Sequence, residues 1–316
     1  MKKAIALFVS VIRIAAAFAQ QDAQFSQNMF NKLDMNPAYA GTNRSICGTA
    51  LIRKQWVGFD GAPSTGLISV DAAVDRLHGG LGLTLCSDQL GFDKTIIAKL
   101  SYAYHQTLQS GASTLSIGVQ AGAIQKSING NWLATDNYQI DPSIPNGKVN
   151  SITYDFGVGA YYTNLGGTFF GISTSHVIPS TLEANGGQAS VTKNFSFDMA
   201  RHYYVMGGQP FYLNQIIKII PSFLIKSDLA STQLDINTRV VYKDQFWAGA
   251  SYRITDAVVA MVGVTYKGLK IGYAFDLTTS QLKNYSNNTH EIMLSYCIKQ
   301  NSICVPPEGH GHPRFL

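Results

Sequence analysis

The chain has 316 residues and a formal net charge of +5, yet only 14 % of its residues are charged, and it carries 29 glycines, 16 tyrosines and 16 phenylalanines. A typical soluble domain has about 25 % charged residues, so a chain this long must cover apolar surface with something other than water, and lipid is the simplest candidate. The basic residues are spread without a lysine–arginine block, which gives nucleic acid binding no support.

The first residues read as an export signal. Lys2 and Lys3 precede an apolar run from Ala4 to Phe18, broken once by Arg13, and Ala17-Phe18-Ala19 supplies a small-x-small cleavage site. Residues 1–19 are therefore expected to be a signal peptide, with the mature chain starting at Gln20. The run is too short to span a bilayer comfortably and no stop-transfer segment follows it. After residue 20 no stretch approaches the length of a transmembrane helix. Residues 20–44 are polar with scattered Phe25, Met29, Phe30, Leu33 and Tyr39, too irregular for a strand and too apolar to hang free. Within them Asn36-Pro37 favours a turn and Gly41 a positive φ.

From residue 45 to 299 the pattern is period two. In 114–126, Leu115, Ile117, Val119, Ala121 and Ala123 form one face and Thr114, Ser116, Gln120 and Lys126 the other. Residues 233–243 and 269–278 repeat the design. A soluble sandwich also alternates, but many of these segments reach the ~9–11 residues that cross a bilayer at a tilt, where soluble strands run about 5–6. The predicted strands are 45–56, 65–74, 79–87, 95–108, 113–127, 151–163, 168–178, 195–206, 216–226, 231–243, 246–255, 257–267, 269–277 and 289–299. They make an all-β, antiparallel outer-membrane barrel of about fourteen strands, the even count that brings both ends of the barrel to the periplasm. The long connections 128–150, 179–194 and 278–288 all fall on one side, as extracellular loops do, and the short ones on the other. Two places resist this scheme: the hairpin at Asp256 is tight for the outer side, and in 195–206 Arg201 shares a parity with Phe197 and Met199.

The polar face carries full charges. Arg53, Asp71, Asp155, Lys218, Asp235, Arg239, Arg253, Asp276 and Glu291 are expected to face the lumen and to brace the wall by ion pairs or hydrogen-bonded networks. Cys47 and Cys297 lie on lumen parity near the periplasmic ends of the first and last strands. They are bridged if the Cα separation is under about 7 Å, and are otherwise two buried free thiols; spacing assigns no partner to Cys86 or Cys304.

No esterase, zinc-protease or phosphate-loop motif is present, so the chain is read as non-enzymatic, with no cofactor and no metal. His290 and Glu291 point to opposite sides of a strand. His105 and His202 fall on lumen parity with no catalytic partner near them in sequence. The stretch Glu308-Gly309-His310-Gly311-His312 is read as a flexible polar end rather than a metal site.

The run QDAQFSQNMFNKLDMNPAYAGTNRS followed by RKQWVGFDGAPST closely resembles the opening of the PorP/SprF family, membrane proteins of the type IX secretion system in Bacteroidetes. LHGGLGL (77–83), RHYYVMGGQPF (201–211), PSFLIKSD (221–228), WAGASYRITDA (247–257), IGYAFDLTTSQLKNYS (271–286) and THEIMLSY (289–296) fit it as well, in order. The tail 300–316 departs from the family, which usually ends soon after the HEI block. The resemblance implies a barrel in the bacterial outer membrane, embedded in its lipid and working with other type IX components. Its partner would be a secreted cargo protein, often a giant adhesin with a C-terminal sorting domain. The Asn36-Pro37-Ala38 element also resembles one near the start of the fourteen-strand long-chain fatty-acid transporter barrels. That second likeness offers an alternative function, transport of small hydrophobic molecules. It also suggests that 20–44, with Asn36, Pro37, Ala38, Tyr39 and Gly41 at its centre, folds into the lumen as a plug rather than covering the barrel floor as a lead-in.

For cargo docking, the expected contacts are aromatic side chains among the turn formers of the outer loops. Trp132 and Tyr138 in 128–150, Asn185 in 179–194, and Trp56 and Phe59 in the first outer loop are the candidates. Trp56 also suits an aromatic girdle at the membrane boundary.

Overall fold

Alternating side chains need a partner strand for every backbone group when one face meets lipid, and a closed antiparallel barrel satisfies all of them. The computed structural model of the chain has that form; it describes residues 22–108, 111–130, 147–178, 181–185, 194–280 and 286–299. The strands are β1 (Ser45–Lys54), β2 (Ser64–Val74), β3 (Gly79–Leu90), β4 (Asp93–Thr107), β5 (Ser113–Gly130) and β6 (Gly147–Asn164). They continue with β7 (Phe169–Ser175), β8 (Thr181–Asn185), β9 (Asn194–Asp198), β10 (His202–Gly208), β11 (Phe211–Tyr212) and β12 (Ile217–Ser227). The last five are β13 (Thr232–Tyr242), β14 (Phe246–Arg253), β15 (Ala257–Tyr266), β16 (Leu269–Thr278) and β17 (Thr289–Lys299).

Fourteen of these close the barrel. β1 pairs with β17 from Ser45↔Lys299 to Lys54↔His290, and β10 pairs with both β7 and β12. β11 is a two-residue addition to the β12 edge, and β8–β9 form a separate hairpin in the connection between β7 and β10. No helix among the described residues is long and apolar enough to cross a membrane.

The apolar parity faces outward. On β5, Leu115, Ile117 and Val119 are exposed on the outer surface while Ser116 and Gln120 are buried inside. Exposed Tyr104, Phe170, Tyr212, Tyr242, Phe246 and Tyr266 stand at strand ends next to the short turns, where an aromatic girdle meets the membrane boundary. The two-residue turn Lys267-Gly268 (φ 47° and 87°) has the two left-handed residues of a type I′ hairpin.

The expected strand 195–206 is corrected. Its first half pairs within the β8–β9 hairpin, the chain leaves the sheet at 199–201, and the wall strand begins at His202. The parity break at Arg201 marks that interruption: His202, Tyr204 and Met206 are buried on the lumen side of β10. The expected strand 168–178 ends early, because His176 takes a left-handed backbone (φ 54°). The hairpin at Asp256 is as tight as the sequence requires, with the Asp256 amide donating to the Arg253 carbonyl at 3.2 Å.

Both barrel ends, Ser45 and Lys299, sit at the short-turn mouth. The chain before Ser45 does not stay there. From Asp22 to Asn43 it runs inside the barrel in short helical turns (Asn28–Phe30, Lys32–Met35, Pro37–Tyr39), and Asp22 lies at the long-loop mouth, against the outer ends of β7, β10 and β12.

Candidate functional site: the lumen and its N-terminal segment

The segment is seated at the short-turn end by backbone contact. The Asn36 side chain donates from Nδ2 to the carbonyls of Ala160 (3.0 Å) and Ile172 (3.2 Å), a cross-strand pair of β6 and β7, while its Oδ1 accepts from the Ala38 amide at 2.9 Å. Such an approach leaves no room for side chains on the wall. A Cβ on Gly118 would lie 2.3 Å from the Ala38 nitrogen, and one on Gly159 2.2 Å from Asn36 Oδ1. Gly41 (φ 72°) donates its amide to Asp71 Oδ2 at 2.9 Å, and His105 Nε2 donates to the Ala40 carbonyl at 2.9 Å. The motif residues Asn36, Pro37, Ala38, Tyr39 and Gly41 are therefore gathered on β2, β4, β5, β6 and β7.

Mid-lumen contact is largely apolar. Phe25 is buried with Leu51, Leu67, Ile97, Ile124, Trp247, Met261 and Met293 from the wall, with Met29 and Phe30 packed beside them. Burying each such side chain contributes about 1.5–3 kcal/mol. The lumen is thus less polar than the parity of charges suggested. Arg239 lies over the Phe30 ring, 4.7 Å from its centroid, and forms no ion pair among the described residues. Lys32 stands 3.3 Å from the Phe169 centroid and donates to the Tyr161 hydroxyl at 3.2 Å. Lys99 pairs with Asp34 at 3.1 Å.

Toward the long-loop mouth the segment enters an ion network. Arg53 pairs with Asp276 (2.8 Å) and Glu291 (3.2 Å); Arg253 pairs with Asp235, Asp276 and Asp256, each at 3.3 Å. Glu291 also accepts the amides of Ser26 (2.7 Å) and Gln27 (2.8 Å), and Ser26 Oγ donates to Asp276 at 2.6 Å. Asp155 accepts from His176 instead of an arginine, at 2.9 Å. Lys218 shares the lumen face with buried Val241, its cross-strand partner, but stands at the short-turn mouth, where it pairs with exposed Asp244.

The docking candidates are less gathered. Trp56 is half-buried, its amide donating to Thr289 Oγ1 at 3.1 Å, and Phe59 is exposed nearby at the same mouth. Their loop joins the last outer connection through Val57 and Asn288. Asn185 ends β8 opposite Asn194, and Trp132 and Tyr138 lie outside the described residues. Cys47 and Cys297 form a disulfide across the β1–β17 seam with Cα atoms 4.1 Å apart; Cys86 is buried and free, and Cys304 lies outside the described residues. Sequence reasoning missed Asp22, Ser26 and His176. Their signal is tertiary, since the bonds from Asp22 and Ser26 to His176 and Glu291 span 154 and 265 residues.

A closed fourteen-strand barrel, apolar outside and filled inside by its own leading segment, defines an integral protein of the bacterial outer membrane. The family of type IX secretion system membrane proteins PorP/SprF matches residues 17–296, and the chain belongs to it. No curated relative matches the chain. Among solved structures it is similar to a Pseudomonas aeruginosa FadL homologue (11 % identity, TM-score 0.50, covering 84 % of this chain and 92 % of that one). It is also similar to the Pseudomonas putida toluene transporter TodX (12 %, 0.49, 85 % and 93 %) and the Ralstonia pickettii toluene transporter TbuX (11 %, 0.47, 84 % and 92 %). At such identities these likenesses show the fold alone.

Proposed function

We propose that this barrel is a non-enzymatic accessory that assists the secretion or surface attachment of a cargo protein, a large adhesin with a C-terminal sorting domain. In this reading residues 1–19 are removed on export, 20–44 is a plug, 300–316 is a periplasmic tail, and the cargo docks at the long-loop mouth. The observation that carries it is the filled lumen: the segment from Asp22 to Gly41 bonds to the wall at both mouths. A filled barrel offers its rim rather than its bore. Transport of small hydrophobic molecules needs a pocket of roughly 300–1,000 Å³, whereas three lumen cavities lined by the segment hold about 10, 20 and 70 Å³.

The test is to delete 129–148, which contains Trp132 and Tyr138, confirm that the barrel still inserts, and measure cargo on the cell surface. Cargo display is expected to fall. Undiminished display rules that loop out as the docking site.

A further inference from the structure

At the long-loop mouth the first described residue of the segment meets two histidines that have no role in the reading above. Asp22 Oδ1, His176 Nε2 and a ring nitrogen of His202 all lie within 4.8 Å of one another. Both imidazoles are aimed by their other nitrogen. His176 Nδ1 faces Asp155 Oδ1 at 2.9 Å, and His202 Nδ1 donates to the Ala200 carbonyl at 3.0 Å. Each Nε2 is thereby left for Asp22: that of His176 lies 2.9 Å from Oδ1, and that of His202 accepts the Asp22 amide at 3.3 Å. A carboxylate or carbonyl behind each ring is the arrangement that orients histidines on a metal.

We propose that Asp22, His176 and His202 form a site for a divalent cation of the zinc class, which fastens the leading end of the N-terminal segment to β7 and β10. Zinc holds nitrogen and carboxylate oxygen at about 2.0–2.2 Å, so ligand atoms around one ion stand roughly 3.3 Å apart; the His176–Asp22 pair is at 2.9 Å and all three ligand atoms lie within 4.8 Å of one another, so small side-chain shifts would close them on an ion. Two imidazoles and one carboxylate favour a transition metal over calcium or magnesium, which prefer oxygen. An ion there would replace the His176 Nε2–Oδ1 contact and the Asp22 amide on His202 Nε2; the other groups on Asp22 do not compete for Oδ1, since the Tyr204 hydroxyl donates to Oδ2 at 2.6 Å and Lys226 donates to the Asp22 carbonyl. One oxygen of Asp155 has no hydrogen-bond partner among the described residues. A cavity of about 70 Å³ lined by Asp22, His202, Met199 and Asp88 adjoins the site, and it has room for water to complete the coordination.

The location gives the ion a task. β7 and β10 have seven residues each, so the wall is shortest where the segment begins. A tie from Asp22 to both strands closes that corner.

The experiment uses the full chain, purified in detergent, carrying H310A/H312A so that the histidines of the tail do not compete. Zinc content and Co²⁺ titration are measured on this parent and on H176Q, H202Q and D155N. One equivalent is expected in the parent, with the absorption bands of nitrogen-ligated Co²⁺. H176Q and H202Q should each weaken binding at least tenfold, and D155N about 10–100-fold. No saturable binding by the parent overturns the proposal, as does binding unchanged in both histidine variants. Should the variants fail to insert, the parent's Co²⁺ spectrum decides alone: bands from oxygen ligands only would overturn it.

Discussion

At the scale of single residues, the lumen separates charges that matter from charges that do not. Arg253 is fully buried among Asp235, Asp256 and Asp276, and truncating it leaves carboxylates without their counter-ion inside the barrel. R253A is expected to cost about 3–5 kcal/mol, the range for breaking a desolvated pair. Lys218 and Asp244 pair where Asp244 is exposed, so K218A should cost about 0–1 kcal/mol. Urea midpoints of the two variants in detergent check the contrast. Equal midpoints would mean that the Arg253 network is hydrated and braces nothing. Alternation placed all nine expected charges on the lumen face, Lys218 at its mouth, because strand parity is a local property. It did not show that Arg239 would lie over Phe30, or that Asp155 would meet His176, because those partners come from elsewhere in the chain.

The decisive element is the N-terminal segment. Its apolar residues bury against the mid-lumen cluster and its Asn36–Gly41 turn lies against bare wall backbone. Adding one methyl group at Gly118 should therefore displace it, since the nearest atoms are backbone that cannot rotate away. G118A is expected to cost about 1–3 kcal/mol, the usual range for overpacking, and to expose residues 22–41 to protease. G66A is the control, because a Cβ there meets nothing within 4 Å. If both variants protect the segment equally, the seat is not tight. The turn was legible in Asn36-Pro37, and so was the segment's apolar character. Its direction, with Asp22 at the far mouth, was not, because nothing in a sequence of irregular turns says which end of a cylinder it faces.

For the whole molecule, closure depends on the seam between β1 and β17, and Cys47–Cys297 crosses it after a separation of 250 residues. A bridge over so long a loop chiefly restricts the unfolded chain, and losing one typically costs about 2–5 kcal/mol. C47A should lower the heat-unfolding midpoint without changing the strand count; an unchanged midpoint would mean that the ladder alone holds the seam. Sidedness is checked at two exposed turn residues. L229C in the β12–β13 turn should react with an impermeant thiol reagent on intact cells, and L165C in the β6–β7 turn should not. The reverse pattern would invert the topology. The sequence by itself determined the strands, their parity, the even count and the side of the long loops, because period, length and turn chemistry act between near neighbours. Only the tertiary structure decided what fills the lumen, which charges pair, that His202 starts a strand, and that Asp22 meets His176. Those depend on closing a wall whose contacts span up to the whole chain, and a pattern of period two carries no record of which distant residue stands across a cavity.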